Sequence, residues 1–427
     1  MSHILLSYPD AVRFLYSLGN ESQAARLGLE RISLLLERLG SPHRACRFAH
    51  VAGTNGKGSV CAMLESALRA AGMRTGLFTS PHLVEPTERI QLDGQPVSPE
   101  LFARAFDRVH REAERLLAEG ALDSHPTYFE SVTAMAFLLF GDLAARSVAL
   151  EVGLGGRLDA TNVVLPWLSV ITPIDYDHEA FLGRSIESIA GEKAGIIKPG
   201  VPVVIGPQRP SVEALLAARA AELGAPVSKV SEWTVEDLQL DARGSRFVAA
   251  GPRRVNVECP LAGEHQISNA LTAIAALHVL GVPTAAVEEG IRLARWPGRL
   301  ECVSREPEII LDGAHNPSGA LALARYIQRF YAGRRVWLVY GAMRDKAVSE
   351  VASLLFPLAN NVILTAPTNA RAVRPEVIRT LVNHPSMQVA ESLAGALALL
   401  KEASPGDAVF ITGSLFLVGE ARALLVQ

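Results

Sequence analysis

The chain has 427 residues, 49% of them hydrophobic and 20% charged, with a formal net charge of -3. Those values exclude a disordered or fibrous chain and predict two globular domains with sizeable cores. No polybasic stripe invites nucleic acid, no apolar run reaches the roughly 18 residues of a membrane span, and Met1 to Leu6 carry no secretory signal.

Taken in order, an apolar run ending at Val51 reads as a strand, Lys57 to Ala71 as a helix, and Arg74 to Thr79 as a second strand. Helices are predicted near Glu100 to Ala118 and Phe129 to Phe140. The runs Val148 to Val152 and Leu168 to Ile171 read as buried strands of a parallel sheet. This alternation predicts an α/β layered first domain. Thr234 to Val257 changes to short polar and apolar alternations, expected to form small antiparallel strands decorating that domain. Helical patterns follow at His265 to Leu280 and Thr284 to Arg295. Trp296-Pro297-Gly298 then breaks the periodicity, and strands recur at Ile309 to Leu311, Val336 to Tyr340, Val362 to Leu364 and Ala408 to Thr412. The expected domains are therefore residues 1–296 and a smaller Rossmann-like α/β domain, 297–427. The cysteines Cys46, Cys61, Cys259 and Cys302 are far apart without a Cys-x-x-Cys pair, which argues against a zinc knuckle or a disulfide framework and for a cytoplasmic protein.

The strongest chemical signal is the loop Gly53-Thr54-Asn55-Gly56-Lys57-Gly58-Ser59, which follows the first strand and opens a helix. Small residues let backbone amides turn toward a phosphate, and the lysine adds a point charge. It departs from the general P-loop spelling, since Val51 stands where the first glycine belongs and Gly58 separates Lys57 from Ser59. Glu151 ends an apolar strand, where a carboxylate is either a metal ligand or half of a buried salt bridge. Asp175, Asp177 and His178 follow the strand ending at Ile171 and offer oxygen and nitrogen ligands near the same sheet edge. Gly153-Leu154-Gly155-Gly156-Arg157-Leu158 is a poor dinucleotide fingerprint, because Leu158 takes the place of the third glycine. In the second domain Asp312 follows the buried-strand pattern Ile309-Ile310-Leu311. His315 and Asn316 then precede Pro317, a helix-starting residue whose helix end favours phosphate.

The loop spelling resembles the nucleotide loop of the Mur ligase superfamily, and further segments resemble the folylpolyglutamate synthase and dihydrofolate synthase family. Those segments are Thr79 to Leu83, Glu88-Arg89-Ile90, Thr127 to Glu130, Glu151 to Asn162, Asp177-His178, Glu192 to Lys198, Trp296 to Glu301, Leu311 to Pro317 and Thr412-Gly413-Ser414. The resemblance implies a P-loop-type ATPase domain with a parallel sheet core, followed by a Rossmann-like domain. It also implies ATP-dependent joining of L-glutamate to dihydropteroate or to reduced folates through an acyl phosphate. Implied nucleotide contacts are Gly53 to Ser59, Asn269, Arg299 and Asp312, with Lys57, Lys193 and His315 catalytic and the two domains closing around ATP. Implied metal ligands for Mg2+, expected as two ions, are Ser80, Glu151, His178 and Lys193, the last as a carbamate. Implied pterin and folate contacts are His82, Thr127, Tyr128, Phe129, Glu130, Leu158, Asp159 and Ala160, with the Tyr128 and Phe129 rings able to stack on a flat heterocycle or to serve simply as core.

The 127–130 and 156–160 segments lean toward the bifunctional bacterial type, whereas Arg26 departs from it, standing where some bifunctional relatives have an acidic pterin contact. Alternatives are a synthase that only extends folate tails, a Mur-type cell-wall ligase, a P-loop kinase and a nucleotide-gated binding protein. The expected partners are small molecules only, with neither nucleic acid nor membrane, and the chain is expected to be a monomer.

Overall fold

The computed structural model describes residues 6–19, 28–344 and 346–426, so Arg26 lies outside the described residues. The chain divides into two compact units. The first comprises residues 1–235, 249–256 and 268–294, and the second residues 236–248, 257–267 and 295–427.

The first unit is built on an eight-stranded sheet. Its strands are β1 (Arg47–Ala52), β2 (Thr75–Phe78), β3 (Ile90–Leu92), β4 (Gln95–Pro96), β5 (Ser147–Glu151), β6 (Leu168–Ile171), β7 (Val203–Ile205) and β8 (Val227–Lys229), in the spatial order β4-β3-β2-β5-β1-β6-β7-β8. From β2 to β8 neighbours run parallel, whereas β3 and β4 add an antiparallel edge. Strands covered on both faces need apolar residues at consecutive positions rather than alternating ones. β5 and β6 are buried throughout, and β1 from Phe48 onward. Because the chain leaves β1 on one side for β2 and returns past it from β5 to β6, β1 marks a reversal of winding. Ligands of open α/β sheets gather at the carboxyl ends of strands there. A core cluster that includes Phe48, Phe78, Phe106, Phe137 and Phe140 fills the layer beneath helices Pro99–Ala118 and Tyr128–Asp142.

Strands β9 (Thr234–Asp241), β10 (Gly244–Ala250) and β11 (Arg254–Cys259) form a separate three-stranded sheet. The segment does not simply decorate the first domain: residues 236–248 belong with the second unit, where the Tyr326 hydroxyl donates to the Ala242 carbonyl at 2.7 Å. A local pattern of alternation cannot reveal which core a small sheet joins.

The second unit holds a six-stranded sheet of β12 (Glu301–Arg305), β13 (Glu308–Leu311), β14 (Val336–Tyr340), β15 (Asn361–Leu364), β16 (Met387–Val389) and β17 (Ala408–Thr412), in the order β12-β13-β17-β14-β15-β16. All neighbours are parallel except the β12 edge. The Trp337 indole N–H donates to Asp407 at 2.9 Å, which satisfies the one polar atom of a fully buried ring. Helix Pro317–Phe330 starts after β13, with Asn316 accepting from the Gly319 amide as its N-cap and Pro317 in the first turn. Among the described residues no helix is long and apolar enough to cross a membrane.

Candidate active site

The carboxyl end of β1 runs into the glycine loop, and helix Lys57–Ala70 begins directly after it. Gly53 and Gly56 sit at φ of 154° and 86°, and a Cβ on either would stand 1.8 Å from Thr172 Oγ1 or 2.3 Å from Asn269 Oδ1 respectively. Only glycine fits both positions. Asn269 is thereby brought against the loop. The loop is anchored to the segment after β6: the Thr54 amide donates to the Pro173 carbonyl at 2.9 Å, and the Thr54 hydroxyl to the Asp175 carbonyl at 2.9 Å. No side chain caps the helix at Gly56, so its first amides keep the partial positive charge that attracts phosphate. The Lys57 ammonium folds back onto the Gly53 and Thr54 carbonyls at 3.2 and 3.1 Å.

Lys193 is the most informative side chain. The helix Ile186–Ala194 carries it into the interior, 5% exposed, where its Nζ donates to the Gly53 carbonyl at 2.8 Å. Burial, and then the Lys57 charge, push its amine from an ordinary 10.5 down to about 7, partly opposed by Asp177 and Asp159. The segment Glu151 to Asn162 holds this helix in place. The Arg157 amide donates to the Glu192 carbonyl at 2.8 Å, its guanidinium pairs with the Glu192 carboxylate, and the Asn162 amide group donates to the Arg157 and Gly195 carbonyls.

Of the expected metal ligands, Ser80 and Glu151 are adjacent: the Ser80 amide donates to Glu151 Oε2 at 3.1 Å, and Glu151 is 5% exposed. His178 begins a short helix in the left-handed region at φ 52°, beside the Asp177 carboxylate. Asp175 is otherwise engaged, its carboxylate pairing with Arg209 at 2.9 Å. A buried carboxylate, a hydroxyl, an imidazole and a lysine able to shed its proton are donor types that would fit Mg2+ if the lysine bore a carbamate.

The expected folate contacts fall into two groups. Thr127 and Glu130 form a reciprocal capping box at the start of helix Tyr128–Asp142, and Arg31 pairs with Glu130 at 3.2 Å. Tyr128 is 4% exposed, stacks on Tyr16 with centroids 5.7 Å apart, and lies under the Arg89 guanidinium. Its ring is thus part of a protein cluster, while Phe129 remains partly exposed beside Phe78. His82 joins the cluster: Arg89 Nε, which can only donate, meets His82 Nδ1 at 2.8 Å, so Nε2 carries the proton toward the Tyr16 hydroxyl at 3.2 Å. Burial and then Arg89 hold this imidazole well below its ordinary value. Asp159 is inside the protein, accepting from the Leu154 and Thr161 amides at 2.8 and 3.0 Å while capping the short helix Ala160–Val163. It shapes the loop through Leu158 and Ala160. Tyr16, on helix Tyr8–Ser17, leaves no signal in the sequence, and Arg89 lies in the family-like segment Glu88-Arg89-Ile90 with no role implied for it.

In the second unit the Asp312 carboxylate accepts the Leu300 and Ala314 amides, both at 3.0 Å, and burial raises it against the opposing Arg299 charge. His315 Nδ1 donates to the Gly313 carbonyl at 2.8 Å, which leaves Nε2 as an acceptor. The nearby His265 is half-buried, and desolvation, then the Arg299 charge, hold it down to about 4.

Residues 51–277 match the Mur ligase middle domain and residues 298–415 the Mur ligase glutamate ligase domain. The chain is 34% identical to the dihydrofolate synthase/folylpolyglutamate synthase of Bacillus subtilis, over 98% of this chain and 99% of that one. The folylpolyglutamate synthase of Mycobacterium tuberculosis complexed with ADP and AMPPCP superposes with a TM-score of 0.89 at 34% identity, covering 98% and 99% of the two chains. The Escherichia coli FolC structure, in complex with DHPP and ADP, does so at 0.88 and 33%, covering 98% and 97%. The chain spans only half (50%) of the Haloferax volcanii probable bifunctional folylpolyglutamate synthase/dihydropteroate synthase, to which it is 35% identical. Fold and loop together define an ATP-dependent ligase of the Mur type. Within that class the chain belongs to the dihydrofolate synthase/folylpolyglutamate synthase family, whose place is in folate metabolism.

Proposed function

We propose that the chain joins the amine of L-glutamate to the carboxylate of dihydropteroate, and to the γ-carboxylate of reduced folates already carrying glutamate. Amide formation in water is uphill, so the carboxylate first takes the γ-phosphoryl of ATP to become an acyl phosphate. The glutamate amine then displaces phosphate, giving the amide, ADP and phosphate.

The observation that supports this reading best is Lys193, a buried amine on the Gly53 carbonyl whose proton leaves near neutral pH. In that state it can add CO2, releasing one proton and becoming a carbamate. Ser80, Glu151, His178 and carbamylated Lys193 are the proposed Mg2+ ligands, expected to hold two ions. An ion held by these residues would supply positive charge that offsets that of the transferring phosphate. Lys57 and the amides from Gly53 to Ser59 hold the transferring phosphates. Asn269, Arg299 and Asp312 are the further proposed nucleotide residues, and His315 is proposed as catalytic. His82, Thr127 to Glu130 and Leu158 to Ala160 form the proposed pterin end, with Phe129 as the ring open to stacking and Asp159 acting through the loop it holds. The domain boundary proposed from sequence, at residue 297, falls beside the start of the last segment of the second unit. The free state of all four cysteines supports a cytosolic protein, proposed to work as a monomer.

The test is ADP release by purified chain given ATP and L-glutamate with either dihydropteroate or a reduced folate. Glutamate-dependent release with both acceptors is expected. Release with the reduced folate alone leaves a tail-extending synthase, and release with neither sinks the reading.

A further inference from the structure

Helix Pro99–Ala118 carries His110 and Glu114 one turn apart, and the segment after it brings His125 back against them. His110 Nδ1 and His125 Nε2 are 3.4 Å apart, and one Glu114 carboxylate oxygen stands 3.9 Å from each. A tetrahedral ion with ligands at about 2.1 Å sets its donor atoms about 3.4 Å from one another. The two nitrogens already have that separation. Glu114, 55% exposed, needs to close by only a fraction of an ångström.

The surroundings orient the His125 ring as a metal site requires. His125 Nδ1 donates to the Pro126 carbonyl at 2.8 Å, which leaves the lone pair on Nε2, the atom facing the cluster. A ligating histidine is ordinarily fixed in this way by a carbonyl on its other nitrogen. The ring of Phe14 packs on both imidazoles, at 4.4 and 5.4 Å, and Phe106 stacks on His110. Both imidazoles are mostly buried, 20% and 14% exposed, so their rings are held rather than solvated.

We propose that His110, Glu114 and His125 bind one Zn2+-class transition-metal ion, at a site separate from the catalytic loop. Two nitrogens and one oxygen suit zinc and its neighbours, whereas Mg2+ prefers six oxygens. The ion ties the segment before the Thr127 capping box to helix Pro99–Ala118. Its two histidine ligands also pack on Phe14 of helix Tyr8–Ser17, two residues from the Tyr16 that stacks on Tyr128.

The experiment is calorimetric titration of Zn2+ into the full chain held in excess Mg2+ without nucleotide, in a Cys302→Ser background to remove the exposed thiol. One equivalent is expected, with affinity weakened at least about tenfold in both His125→Gln and Glu114→Gln. Substituted Co2+ should show the intense visible bands of a four-coordinate complex, lost in the same variants. Glu114→Gln lies on an exposed side chain, so a native circular dichroism spectrum keeps the comparison valid even if His125→Gln fails to fold. No uptake by the parent, or uptake that the substitutions leave within a few-fold, overturns the site.

Discussion

Replacing Lys193 with methionine isolates the cost of burying an amine beside the phosphate loop. The native amine releases its proton at about 7, while the unfolded chain holds it to 10.5. Between those values the unfolded chain binds more protons, so stability rises with pH. At about 1.36 kcal/mol per pKa unit, the wild-type chain gains roughly 3 kcal/mol from this group between about pH 6 and about pH 9. Lys193→Met lacks the titration and should be the more stable protein at the acid end, with its advantage shrinking by roughly 3 kcal/mol at the alkaline end. Loss of the bond to the Gly53 carbonyl, about 1 kcal/mol, shifts the variant by the same amount at every pH and leaves the slope alone. Urea unfolding of both proteins in CO2-free buffers without nucleotide measures the gap. A gap that stays constant, or widens as pH rises, refutes the depressed amine. The companion measurement is turnover after CO2 removal, which added bicarbonate should restore in wild type and not in Lys193→Met.

Lys57→Ala should lower kcat by about 100-fold to 1,000-fold through loss of one phosphate donor, with folding unchanged by circular dichroism. Because the Lys57 charge helps to depress Lys193, the variant should also retain its lysine proton to higher pH, which 13C-bicarbonate labelling would register as less carbamate at neutral pH. Gly56→Ala drives a methyl into Asn269 in a left-handed backbone, so ADP affinity should fall at least about tenfold, a loss of about 1.4 kcal/mol. Unchanged affinity by calorimetry would show that the loop is not strained there. Thr127→Ala removes one half of the capping box and should cost about 1 kcal/mol in urea unfolding, with no measurable loss counting against the cap.

Much of the scaffold was legible because it obeys local rules. The runs at Val148 and Leu168 are mainly apolar without alternation, as strands buried on both faces are, and the helix at Lys57 follows the loop glycines Gly53 and Gly56. Strand β6 coincides with its expected range, Leu168 to Ile171. The family-specific segments were legible as motifs, but their contacts were not. Asp175 reads from the sequence as a ligand beside Asp177 and His178, whereas in the fold its carboxylate pairs with Arg209. Tyr128 was a candidate stacking surface, yet its ring is engaged by Tyr16, 112 positions earlier in the chain. His110 and His125 looked like any two histidines until the turn after helix Pro99–Ala118 set them 3.4 Å apart.

By itself the sequence determined the α/β class, the phosphate loop and the family, because these depend on apolar periodicity, on glycines at particular steps and on motifs read along the chain. Tertiary structure alone decided what Lys193 is. A Glu-Lys pair on a helix normally faces water and keeps its charge, and here the Gly155 to Asn162 segment and the Gly53 carbonyl enclose the lysine instead. Desolvation and the neighbouring Lys57 charge act through space, not along the chain, so the chemistry of that amine is written only in the packing.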